Sequence, residues 1–109
     1  LYTHHSLNNY SNHKYFSCYI ILFMNINELI AIVKKKLEQN IVTENILIED
    51  KTFLHKNHSG YKKDRFHLKL RIESQELLKL NKIDGNKKIY KILDQELKYH
   101  IHSLQILIR

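Results

Sequence analysis

The chain of 109 residues has no proline, no tryptophan, two glycines and one cysteine, and each scarcity closes a class of chemistry. Phosphate-cradling loops and dinucleotide fingerprints need several glycines at fixed spacing, and Gly60 and Gly85 alone cannot build one. A single cysteine, Cys18, forms no internal disulfide, no CxxC redox pair and no cysteine-rich zinc finger, and fits a reducing compartment. No apolar run reaches the ~20 residues that span a bilayer. Arginine is also scarce: Arg65, Arg71 and Arg109 are all there is among 18 basic residues, so the net charge of +7 is a lysine charge. Reading of bases leans on bidentate arginine, whereas lysine gives a soluble basic surface and contacts to phosphate. What remains is ordinary globular usage, 43% hydrophobic and 27% charged, in a chain long enough for one domain.

Residues 1–23 differ from the rest, with one lysine, no acid and no apolar periodicity. They read as a processed or disordered leader, which predicts a mitochondrial protein, or as sequence preceding a natural start at Met24, which predicts a cytoplasmic one. Residues 24–109 read as the folded domain. Ile26, Leu29, Ile30, Val33 and Leu37 form a helical stripe over about 26–39, with Asn25 and Glu28 placed as a capping box. Ile46 to Ile48 is a short β-branched run and the first strand. Lys51 to Asp64 is a polar loop. Phe66, Leu68, Leu70 and Ile72 alternate with His67, Lys69 and Arg71, which predicts a strand with one wet face. Ser74 caps a short helix bearing Leu77, Leu78 and Leu80. Asp84-Gly85-Asn86 reads as a break, with Ile89, Ile92, Leu93 and Leu97 marking a helix over about 86–98. Ile101 to Ile108 is the third strand. The order α-β-β-α-α-β predicts an α+β two-layer sandwich with a three-stranded sheet.

No nucleophile stands with a base, and Glu49-Asp50 and Asp94/Glu96 read as solvated surface, so the chain is not expected to be an enzyme. The eight histidines carry the chemical interest. His55 and His58 lie in the long loop as H-x-x-H, and His100 and His102 stand at the opening of the last strand. Imidazole ligates zinc and iron, but the spacing alone leaves metal binding and ordinary surface roles both open. His67 reads as a surface residue of the wet strand face.

The stretch from Ile26 to Ile108 resembles the BolA-like family. The family's loop pattern of acid, small hydroxyl and histidine appears as Asp50, Thr52 and His55, followed by His58-Ser59-Gly60. Its strand opening appears as His67-Leu68-Lys69-Leu70, its serine before the short helix as Ser74, and its aliphatic-Tyr pair as Ile89-Tyr90. Its helix close and last strand appear as Glu96-Leu97 and Ile101-His102-Ser103-Leu104. The family's Arg-His before the aliphatic-Tyr pair is replaced by Gly85-Asn86.

The resemblance implies a type II KH-like fold and a partnership with a monothiol glutaredoxin. The two proteins would share a bridging 2Fe–2S cluster, with glutathione as a further ligand. Carried over residue by residue, His102 is the first ligand from this chain and His55 the second, with His58 as runner-up. Imidazole in place of thiolate raises a cluster's potential. The partner surface would include Lys82, Gly85, Asn86, Lys87, Lys88 and Tyr90, and the apo form is expected to be a monomer with no membrane attachment. The competing expectation is nucleic-acid binding of the KH kind, in which Lys79, Lys82, Lys87, Lys88 and Lys91 contact phosphate. The GXXG clamp of KH domains is missing from the turn at Leu80 to Lys87.

Overall fold

The computed structural model describes residues 24–52 and 65–109. Residues 1–23 and the loop segment that carries His55, His58 and Gly60 lie outside the described residues. The elements, in chain order, are α1 (Ile26–Asn40), β1 (Asn45–Asp50), β2 (Phe66–Glu73), α2 (Gln75–Leu78), α3 (Lys82–Ile92), α4 (Asp94–Tyr99) and β3 (Ile101–Ile108).

Helix α1 starts where its sequence says it should: the Asn25 side chain accepts from the Glu28 N–H at 2.9 Å, satisfying one orphan donor of the first turn. Its stripe of Leu29, Val33 and Leu37 is fully buried. These side chains join a single core with Leu68, Leu70 and Ile72 of β2, Leu77 of α2, Ile89 of α3, and Leu93, Ile101 and Leu104. The sheet has the order β1-β2-β3, with β1 antiparallel and β3 parallel to β2. The α2-α3-α4 segment is the crossover that a parallel return requires. The architecture is the α+β sandwich expected from the sequence, with helices on one face of a three-stranded sheet.

Ser74 joins three elements and is fully buried. Its hydroxyl accepts from the Leu77 N–H (3.2 Å) to cap α2 and donates to the Val42 carbonyl (2.7 Å), while its N–H donates to Arg109 O (2.9 Å).

Three expectations from the sequence are corrected here. Asp84-Gly85-Asn86 does not break the chain but lies in the first turns of α3, which begins at Lys82. The cap is Asn81: its Oδ1 accepts from the Asp84 N–H at 2.8 Å, and its Nδ2 donates to the Asp84 carboxylate at 3.0 Å. Gly85 is tolerated there because it faces inward, where a Cβ would sit 3.0 Å from the Ile108 Cδ1. The single helix expected over 86–98 is two helices that meet at the buried Leu93. Glu96 is the third correction. It is 1% exposed, and its Oε2 pairs with the Lys36 ammonium at 2.8 Å, joining α4 to α1.

Candidate functional site

The opening of β3 breaks phase. Phe66 pairs with Ile101 and His67 with Ser103, so His102 is an extra residue inserted opposite β2. Strict alternation would turn Ser103 inward after Ile101. The inserted residue resets the phase, so that Ile101 and Leu104 are both buried while His102 and Ser103 between them are both exposed. An irregularity of this kind re-aims a side chain out of the ladder, and it is found preferentially next to functional positions. The fold therefore presents the His102 imidazole to solvent at the root of an edge strand.

His67 sits beside it. The sequence reading placed His67 on a wet surface, but it is 5% exposed. It keeps its place on β2, yet its neighbours cover it. The His67 Nδ1 lies 2.6 Å from the Ser103 Oγ, and the ring meets His102 edge-on with centroids 4.9 Å apart and planes at 65°. From the other side, the His67 N–H donates to Thr52 Oγ1 at 3.1 Å. The Asp50 carboxylate in turn accepts from both the Thr52 hydroxyl and the Thr52 N–H, the latter at 2.9 Å. The acid and hydroxyl of the loop motif thus fasten the loop's first residues to β2 next to His102.

The far end of the loop returns to the same place. The Phe66 N–H donates to His100 O at 2.8 Å, and the Arg65 guanidinium donates to Lys98 O at 2.8 Å. Both ends of the segment carrying His55 and His58 are therefore anchored at the His102 end of the sheet, while the two histidines lie outside the described residues. Among the described residues no three His, Cys, Asp or Glu side chains converge as a metal site. Metal held at His102 would need donors from that loop or from a partner.

The expected partner surface divides. Lys82 and Asn86 line a groove of about 330 Å³ between the α2–α3 turn and β3, floored by Leu77, Leu80 and Ile106. Lys87 is exposed. The Lys88 ammonium is bonded to Glu76, and this contact foremost, with the Val42 N–H second, holds the Glu76 carboxyl below its ordinary range. Tyr90 is partly exposed, and its hydroxyl reaches Leu104 O on β3 at 3.4 Å. Gly85 belongs to the core side of α3 and offers no surface, because Ile108 packs over it.

A family model described as BolA-like protein matches residues 37–109. The DNA-binding transcriptional regulator BolA of Haemophilus influenzae is 27% identical over 75 residues, covering 69% of this chain and 70% of that protein. Among solved structures, the BolA domain of SufE1 from Arabidopsis thaliana is 26% identical with a TM-score of 0.62, covering 72% of this chain and 87% of that one. BolA1 from the same plant has a TM-score of 0.61 at 24% identity over the same shares of the two chains, a likeness of fold.

Proposed function

The chain belongs to the BolA-like protein family, and from that membership we propose that it partners a monothiol glutaredoxin and shares with it a bridging 2Fe–2S cluster, serving iron–sulfur assembly, trafficking or iron regulation rather than catalysing a reaction. The observation that supports this most is the phase break in β3, which turns an exposed imidazole, His102, toward the place where both ends of the histidine-bearing loop are fastened. The donor chemistry fits: a neutral imidazole is a competent iron ligand, and an exposed one can be met by a partner's thiolates.

In this reading His102 is one ligand and a loop histidine the second, His55 first and His58 as the other candidate. Glutaredoxin cysteine and glutathione complete the set. The bound cluster supplies one-electron chemistry and transferable iron and sulfide. The residues of this chain hold and orient: Asp50 and Thr52 fix the loop's start, and the inserted position frees His102 from the ladder. Lys82, Asn86, Lys87, Lys88 and Tyr90 form the flank that receives the partner. The apo protein is a monomer on this account. A mitochondrial location follows if residues 1–23 are an import leader, and a cytoplasmic one if they are not.

The test is reconstitution of the full chain with a monothiol glutaredoxin, glutathione, iron and sulfide, followed by visible absorption and circular dichroism. The reading expects a spectrum distinct from that of the glutaredoxin homodimer. A spectrum identical to the homodimer's at every ratio contradicts it.

A second reading is nucleic-acid binding of the KH kind, favoured by the groove at Lys82 and Asn86 and by the DNA-binding role in the name of the Haemophilus relative. It expects oligonucleotide affinity that falls steeply with salt, weakens in Lys82→Ala and is indifferent to His102→Ala.

A further inference from the structure

His102 has an orientation problem. Among the described residues the inserted His102 has no register partner on β2, and an exposed side chain samples several rotamers. A metal ligand gains from being held, and the groups behind it set its affinity as well as its direction. Among the described residues the ring that meets His102 is His67, edge-on at 4.9 Å. His67 is itself fixed at two points: the Ser103 hydroxyl at Nδ1 (2.6 Å) and Thr52 Oγ1 at the backbone N–H (3.1 Å). The two-residue step from Ile101 to Ser103 that frees His102 also brings the Ser103 hydroxyl opposite His67. One irregularity thus aims one histidine and supplies the anchor for the other.

We propose that His67 is a positioning residue for His102, its imidazole locked by the Ser103 hydroxyl so that the inserted His102 offers a single ring orientation to the shared cluster. This rests on the cluster-sharing reading above and deepens it. His67 touches no iron in this account. It acts through the orientation of its neighbour, and Ser103 acts through His67. The Thr52 bond extends the device to the loop, since the atom that fastens the loop's start is bonded to the same residue that backs His102.

The experiment compares the full-length wild type with Ser103→Ala, Ser103→Thr and His67→Phe in the reconstituted glutaredoxin complex. Two properties are read: the EPR g values of the reduced cluster, and the rate of cluster loss to a chelator. Ser103→Ala removes one part-buried hydroxyl from an otherwise exposed strand residue, and Ser103→Thr keeps the hydroxyl in a residue that strands favour, so neither should unfold the chain. Ser103→Ala and His67→Phe are expected to shift or broaden the g values and to speed cluster loss by about tenfold, the usual size of an outer-ligand effect. Ser103→Thr is expected to behave as wild type. Ser103→Ala matching wild type in both g values and loss rate would overturn the positioning role while leaving the shared cluster intact. A wild type that yields only the glutaredoxin homodimer signal overturns both together.

Discussion

Two carboxylates carry opposite lessons at the scale of the single residue. Glu96 is buried and holds its charge against Lys36 of another helix. Removing the cation strands a charge where water cannot reach it, and that costs more than removing the pair. Lys36→Met is expected to lower unfolding stability by about 2 kcal/mol or more, and the double variant Lys36→Met/Glu96→Leu to recover much of the loss. Urea unfolding checks this; equal stability of wild type and Lys36→Met would contradict it. Glu76 is partly exposed, and its carboxyl is held below the ordinary range by Lys88 first and the Val42 N–H second. Its folded value is the lower one, so its contribution is present above the ordinary carboxylate pKa and is lost as pH falls through the lowered value. Glu76→Gln is expected to make the acid side of the stability–pH curve shallower, measured as urea midpoints between pH 6 and pH 3. An unchanged slope would mean that the contact with Lys88 contributes nothing.

The same scale shows where the sequence was legible. Ser74 and Asn25 are caps that their position announces, and both act as caps. Glu96 and His67 were misread because alternation and helical period tell which face a residue takes, not what covers that face. Glu96 is covered by α1, and His67 by the side chains of its parallel neighbour β3, both distant in sequence. The inserted His102 was legible in principle. Apolar residues in β3 fall at 101, 104, 106, 107 and 108, and the step of three from 101 to 104 departs from a strand's period of two and marks a phase break, although the run at 106 to 108 blurs the alternation after it. In the proposed cluster reading, the choice between His55 and His58 as second ligand falls on a loop sequence with no periodicity to read.

The crossover elements carry the next prediction. An Asp-Gly-Asn triplet reads as a turn from local preference, and the local preference is overruled because Asn81 and Asp84 make a reciprocal cap three residues apart. Asn81→Ala is expected to cost about 1 kcal/mol by removing that cap. Gly85 then sits on the buried face of α3. Gly85→Ala asks only the end of the Ile108 side chain to move and regains helix propensity, so it is expected to change stability by less than ~1 kcal/mol. Gly85→Leu is expected to destabilise by about 2 kcal/mol or more through overpacking against β3. Thermal or urea unfolding of the three variants decides it. A Gly85→Leu protein as stable as wild type would show that Ile108 does not confine this face. Gly85 thus lets α3 approach the Ile108 side chain of β3 closely.

Taken whole, the molecule gathers its chemistry at one end of its sheet. The loop root at Thr52, the loop return at Arg65 and Phe66, and the inserted His102 all meet there, while the largely apolar groove at Lys82 and Asn86 flanks the opposite end of β3 near Ile106 and Ile108. The fold supplies one exposed imidazole, with Thr52 and Arg65 at the two roots of the loop fastened at the same end of the sheet. On the proposed reading this is a half-site that another protein's donors complete, and so that reading rests on His102 more than on any other residue. The measurement that meets this claim most directly is pulsed EPR on the reduced glutaredoxin complex, prepared with ¹⁵N-labelled histidine in this chain only. The account predicts a ¹⁵N coupling from a directly bound imidazole, with the His102 component absent in His102→Ala. A cluster that forms with this chain but shows no ¹⁵N coupling, or shows an unchanged one in His102→Ala, would contradict it.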